Sequence, residues 1–153
     1  MLPKGFRFLV LWWYGICGRL RPVSAIIVQN GDRYLIVKKP RKEHAWQFPQ
    51  GGKEVDESLL EAAIRELQEE CGESLRVSFS VSPKGVYRYF FPKGFVRDGF
   101  CGAMVTFYWA QYKSGFVTLD SNELSDFAWV YRDKLRDYFS PKYAVFIQTI
   151  LEK

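Results

Sequence analysis

Histidine and cysteine are scarce in this chain. Its 153 residues include one histidine, His44, and three cysteines, Cys17, Cys71 and Cys101. A single imidazole excludes a histidine-rich zinc site. Three widely spaced thiols cannot pair into a disulfide framework, and they point to a reducing, intracellular setting, cytoplasm or mitochondrion, rather than secretion. No apolar run reaches the roughly 20 residues that span a bilayer; the best candidate is Phe8 to Cys17. Low-complexity tracts, internal repeats and linker-like stretches are also lacking. With 48% hydrophobic and 18% aromatic content, the chain is expected to bury one core, as a single domain over residues 1–153.

Two local absences are more informative. Residues 1–22 contain no acid but carry Lys4, Arg7, Arg19 and Arg21. This segment reads as the first β-strand of the domain or, alternatively, as an uncleaved mitochondrial address, since such addresses are basic and acid-poor. The stretch Asp56 to Glu73 contains no lysine: seven carboxylates face Arg65 alone, while the rest of the chain carries 21 bases against ten acids. An acidic block inside a basic protein calls for a chemical reason, and the basic remainder favours anionic partners.

The β-branched runs Val23–Val28 and Tyr34–Val37, joined by Asn30-Gly31-Asp32, predict a hairpin. Val77–Val81, Val86–Phe91 and Ala103–Gln111 read as strands. Leu59 to Cys71 and Pro141 to Leu151 read as helices. Helices and hairpins alternate irregularly, which predicts an α/β fold built on a mixed sheet rather than a doubly wound parallel one.

Ser58-Leu59-Leu60-Glu61 has the capping-box pattern of a helix start, and Gly72 suits the residue that ends one. Leu60, Ala63, Ile64, Leu67 and Cys71 recur at spacings of three and four, a stripe that docks on a sheet. Glu66, Glu69, Glu70 and Glu73, at i, i+3, i+4 and i+7, are expected to project from one opposite face. Like charges so spaced destabilise an exposed helix by about 0.2–0.5 kcal/mol per pair. Arg65, four residues from both Glu61 and Glu69, relieves part of this. The alternative is a merely solvated helix face, but such faces interleave lysines and this one has none. Clustered carboxylates suit hard divalent cations, and Mg²⁺ in particular couples a few carboxylates to substrate phosphates. Pro49-Gln50-Gly51-Gly52-Lys53, just before the helix, is a glycine turn that lets backbone approach a ligand closely.

Gly51, then Glu57 after five residues, then Arg65-Glu66-Leu67-Gln68-Glu69-Glu70-Cys71-Gly72 after seven more, resembles the Nudix box at every charged and glycine position. The departure is Glu73, where the family usually has an aliphatic residue. The resemblance implies an α/β/α sandwich around a mixed β-sheet, with the box as loop–helix–loop. It also implies Mg²⁺-dependent hydrolysis of a diphosphate linkage in a nucleotide or an RNA 5′ end, with Mn²⁺ as a substitute ion. By the same resemblance Glu66, Glu69 and Glu70 are metal ligands, joined by Glu57 and the Gly51 carbonyl. Arg65 keeps the carboxylates in register, and together with those glutamates it makes up the catalytic set.

The approach to the box, His44-Ala45-Trp46-Gln47-Phe48-Pro49-Gln50-Gly51-Gly52, resembles that of RNA 5′-pyrophosphohydrolases and diadenosine-tetraphosphate hydrolases. Lys84, Arg88, Lys93 and Arg97 interleave with Tyr87, Tyr89, Phe90, Phe91 and Phe95, a pattern suited to phosphate contacts plus base stacking, or to an amphipathic strand. Lys39, Arg41, Arg88, Lys93 and Gly52 are thus the expected substrate-binding residues. The C-terminal half, with Gly85, Tyr87, Phe91-Pro92, Gly102-Ala103, Trp129-Val130 and Pro141-Lys142-Tyr143, is similar to the Nudix-fold protein of the mitochondrial large ribosomal subunit. That similarity implies a structural role among ribosomal RNA and mitoribosomal proteins, although that family generally carries an eroded box. The intact carboxylate set ranks the enzyme first.

Overall fold

The computed structural model describes residues 19–40, 45–92 and 95–153. In chain order it contains β1 (Leu20–Asn30), β2 (Arg33–Lys38), β3 (Trp46–Gln47), β4 (Gln50–Gly52), α1 (Leu59–Cys71), β5 (Arg76–Phe79), β6 (Gly85–Phe90), β7 (Gly102–Ser114), β8 (Asp126–Tyr131), a 3-10 helix (Arg132–Asp137) and α2 (Pro141–Leu151). The predicted helices keep their predicted boundaries because strong local signals set their ends. Ser58 Oγ accepts from the Glu61 amide at 3.1 Å, and Glu61 Oε2 accepts from the Ser58 amide at 2.7 Å, so the capping box is closed. Gly72 ends α1 at φ 86°, a conformation that favours glycine. The β1–β2 turn uses Gly31 at φ 61°, as the Asn30-Gly31-Asp32 signal requires.

Among the described residues, eight strands form one sheet, with β3, β2, β1, β7 and β5 side by side, while β8 also pairs with β2, β4 with β1 and β6 with β7. The long central pair β1–β7 is parallel, in register from Leu20–Gly102 to Gln29–Gln111, and every other pairing is antiparallel. The sheet is therefore mixed, as expected. The strands β3, β4 and β8 and the 3-10 helix lacked a clear sequence signal.

Successive side chains in a strand leave opposite faces, and both faces of the central strands are covered. Val23, Ala25 and Ile27 of β1 join Val105 and Phe107 of β7 and Ile147 and Ile150 of α2. Ile26 and Val28 join Tyr108 of β7 and Ala63, Leu67 and Cys71 of α1. This is the α/β/α sandwich. Phe48 is fully buried between Phe139 (centroids 5.3 Å apart) and Phe107 (6.3 Å), burial worth about 1.5–3 kcal/mol. It anchors the segment that leads into the glycine loop. Across the α1 face, Ser24 Oγ donates to the Leu59 carbonyl at 2.6 Å, tying β1 to the start of the helix.

Of the basic N-terminal segment, Leu20–Pro22 lie in β1. Residues 1–18 lie outside the described residues, as do Arg41, Lys42, His44 and Lys93. Among the described residues, no helix is long and apolar enough to cross a membrane.

Candidate metal and phosphate site

The pairing of β4 with β1 sets Gly52 beside Val23, Gly51 beside Ser24 and Gln50 beside Ala25. Ser24 faces α1, so Gly51 also faces α1 and meets Glu66. A Cβ at Gly51 would overlap the Glu66 carboxylate, so glycine is needed here for close approach rather than for an unusual φ.

Arg65 organises the acidic cluster. Its Nη2 donates to Glu57 Oε1 at 2.6 Å and to the Gly52 carbonyl at 2.9 Å. Its Nε donates to Glu57 Oε2 at 3.0 Å. Its Nη1 donates to Glu66 Oε1 at 2.8 Å and to Glu69 Oε2 at 3.1 Å. One planar fork thus fixes three carboxylates and the loop carbonyl, which a lysine could not reproduce. The expected Arg65–Glu61 pair does not form, because Glu61 is committed to the capping box. Glu70 is held differently, its Oε2 accepting from the Gln50 main-chain amide at 3.1 Å.

The four glutamates do not share one exposed face. Glu66 and Glu70 are 8% and 1% exposed, the Glu69 side chain is half exposed, and Glu73 is exposed beyond the end of α1. The buried arc of the helix is Ala62, Ala63, Glu66, Leu67, Glu70 and Cys71, whereas Leu60 and Ile64 are only half-buried. The arc is turned so that two carboxylates point inward. A carboxylate loses hydration there, so burial raises the Glu66 pKa against the pull of Arg65. Burial pushes Glu70 up to about 8, against the opposing effects of Lys39 and the Gln50 amide. Glu57 is driven down to about 2, chiefly by its hydrogen bonds from Arg65.

Sequence inspection missed two contributors. Glu123, from the segment between β7 and β8, lies close enough to raise the pKa of both Glu66 and Glu70. The Asp120 amide, three residues earlier, donates to the Glu70 carbonyl at 3.2 Å and helps pin this segment against the helix end. Arg21 is the second. The register puts it next to the glycine loop, with its guanidinium against the Cα of Gly52. Nothing local distinguishes either residue; only the β1–β4 pairing and the return loop bring them in.

A cavity of about 540 Å³ opens beside Gln50 and Gly51. Arg21, Lys39 and Arg97 supply its positive charge, and Tyr89, Phe91 and Phe95 form an aromatic wall. Lys39 and Gly51 are among the residues that line it, and Gly52 is not. Arg88 is not: it alternates with Tyr87 and Tyr89 along β6, pairs with Met104 rather than Ala103, and leaves the opposite face of the strand, away from this cavity.

Among the described residues, no three His, Cys, Asp or Glu side chains form a ready-made cation cage. The donor chemistry nevertheless suits a hard divalent ion. All the donors are oxygens, the missing Cβ at Gly51 lets the Glu66 carboxylate approach the glycine segment closely, and two buried carboxylates repel each other.

The chain is 52% identical over 52 residues to an RNA pyrophosphohydrolase of Halorhodospira halophila, covering 34% of this chain and 29% of that one. It is 40% identical over 78 residues to the RNA pyrophosphohydrolase of a Marinomonas species, covering 50% and 48%. It thus spans about a third to a half of the length of these curated relatives. In fold it is similar to the MutT protein of Methanosarcina mazei, with a TM-score of 0.70 at 18% identity over 87% of this chain and 94% of that one. The NUDIX domain model matches residues 18–150, and the chain belongs to the NUDIX family.

Proposed function

We propose that this chain is a divalent-cation-dependent pyrophosphohydrolase acting on the 5′ phosphates of an RNA or a nucleotide, with Mg²⁺ as its ion. The observation that carries the reading is a carboxylate cluster gathered on Arg65 beside a cavity lined by three cations. A purely solvated helix would bury neither Glu66 nor Glu70. Glu66, Glu69 and Glu70 would hold the ion, with Glu57, Glu123 and the Gly51 carbonyl at its margin. When bound, the cation supplies charge neutralisation on the diphosphate and activation of water.

The chain's own residues do the rest. Arg65 holds Glu57, Glu66 and Glu69 in register, so no carboxylate has to reorient when substrate arrives. Lys39 and Arg21 receive the phosphate oxygens; Lys39 follows the end of β2 and Arg21 lies in β1, and together they hold the chain of phosphates along the glycine loop. The Gly52 carbonyl, fixed by Arg65, stops that loop from moving away. The names of the curated relatives support RNA as the polymer, and so does the basic surface.

Replacing Glu69 by Gln is expected to cut turnover on 5′-triphosphorylated RNA by about 10²–10³, the scale for losing one electrostatic stabiliser, with substrate binding less affected. Wild-type turnover in that variant would overturn the reading. A wild type indifferent to Mg²⁺ would instead favour a structural role for the fold within a ribosomal particle, which the mutual satisfaction of the carboxylates by Arg65 would also suit.

A further inference from the structure

The segment between β7 and β8 brings Glu123 to the acidic cluster from outside the glycine loop and α1. It crosses the C-terminal end of α1, where the last carbonyls of a helix lack partners within the helix. The Thr118 amide donates to the Cys71 carbonyl at 2.8 Å, and the Asp120 amide donates to the Glu70 carbonyl at 3.2 Å. A Cβ at Gly72 would stand 3.0 Å from the Thr118 Cβ. The glycine that ends α1 therefore also lets this segment lie close.

Asp120 then reverses the chain. Its carbonyl accepts from the Glu123 amide at 3.1 Å and from the Leu124 amide at 2.9 Å. Its Oδ1 accepts from the Asn122 amide at 3.0 Å. A side-chain oxygen bonded to the main chain two residues on is a turn that aspartate favours. Just past the turn, Leu124 is 2% exposed and joins Leu67 and Cys71 of α1 in the core. The Ser125 amide donates to the Lys38 carbonyl at 2.9 Å. The turn is thus tied on one side to the helix that carries the carboxylates, and on the other to the residue before Lys39.

Glu123 lies within this turn. It is exposed, whereas Glu66 and Glu70 are buried, and its charge acts on both of them. Like charges so close repel one another, so a glutamate on an untethered loop would swing away into water. The hydrogen bonds that Asp120 accepts oppose that escape.

We propose that Asp120 is a positioning residue for the cation site: the turn it closes holds Glu123 beside Glu66 and Glu70. The proposal rests on the pyrophosphohydrolase reading, because it needs those glutamates to bind an ion. Asp120 is not itself a ligand; it acts through Glu123, by geometry rather than by charge. Asparagine keeps the Oδ1 acceptor and drops the charge, serine makes a weaker version of the same turn, and alanine makes none.

The test is Mg²⁺ affinity, titrated by calorimetry on the whole protein without substrate, with the metal-free melting temperature taken alongside. Asp120→Ala should weaken Mg²⁺ binding by about 10–100-fold, the scale for losing a group that orients a metal ligand. Asp120→Ser should fall between, and Asp120→Asn should stay near the wild type. Glu123→Gln should weaken binding to a similar extent as Asp120→Ala. The double variant Asp120→Ala/Glu123→Gln should bind no more weakly than Glu123→Gln alone, because residues that act as one unit are not additive. Should Asp120→Ala fail to fold, the Asn and Ser variants carry the same comparison. An Asp120→Asn protein that loses as much affinity as the Ser or Ala variant would show an effect of charge and overturn the proposal. So would an Asp120→Ala protein that melts lower yet binds Mg²⁺ like the wild type, or losses that add in full in the double variant. A wild type that binds no Mg²⁺ would remove the pyrophosphohydrolase reading itself. Hydrolysis with unchanged Mg²⁺ affinity in Asp120→Ala would remove only the positioning role.

Discussion

Glu70→Gln is the sharpest probe of the carboxylate cluster. Glu70 is 1% exposed, and burial raises its pKa from the ordinary carboxylate value of 4.5 to about 8. In metal-free protein this gives a folded-state pKa above the unfolded one. The associated stability is fully present below pH 4.5 and is lost as the pH rises through about 8. At pH 7 the unfolded chain ionises Glu70 while the folded chain still holds the proton. That gap is worth on the order of 3 kcal/mol before relaxation of the site reduces it. Glutamine keeps an oxygen for the Gln50 amide, which donates to Glu70 at 3.1 Å, and it needs no proton. The variant should therefore melt several degrees higher than the wild type in chelator at pH 7, at about 2–4 °C per kcal/mol for a chain this size. The difference should be small at pH 4.5 and should grow up to pH 8. Mg²⁺ should reverse the order, because an ion that binds only the folded state stabilises it by mass action and the variant has lost a ligand. Thermal melts of both proteins at three pH values, in chelator and in Mg²⁺ at matched ionic strength, decide the matter. A difference that does not change with pH, or a wild type that gains nothing from Mg²⁺ beyond matched NaCl, would refute the argument.

Two further outcomes follow from the geometry. Gly51→Ala should erase most of the Mg²⁺ stabilisation and lower metal-free stability, because its methyl group displaces the Glu66 carboxylate from Arg65; an unchanged Mg²⁺ titration by calorimetry would refute this. Arg21→Ala should flatten the salt dependence of 5′-triphosphorylated RNA binding by about one phosphate contact, measured by fluorescence anisotropy across a salt series. Arg88→Ala, on the other face of β6, should change that slope much less, and the reverse ranking would overturn the assignment of the phosphate cavity.

Several features of the protein were legible before any tertiary structure. The ends of α1 depend on Ser58, Glu61 and Gly72, all within the helix or next to it. The β1–β2 turn depends on Gly31 alone adopting a positive φ. The glycine-to-glutamate spacing from Gly51 to Glu70 is a local pattern as well, because one loop and one helix carry it. Signals of this kind act over a few residues and hold wherever the segment is placed.

The direction each carboxylate faces is not local. Spacing puts Glu66 and Glu70 on one side of α1 but leaves open whether that side meets water or the sheet. The sheet decided it: Ala63, Leu67 and Cys71 dock against Ile26, Val28 and Tyr108, and that docking turns Glu66 and Glu70 inward as well. The same long-range pairing brought Arg21 beside Gly52 and Glu123 beside Glu70, from parts of the chain with no motif of their own. It also set the phase of β6, which put Tyr89 on the cavity wall and sent Arg88 to the other face. The sequence determined the chemistry of the donors. Only the packing of strands from distant parts of the chain determined which of them share one site, because a side chain's surroundings depend on what covers its face of the sheet.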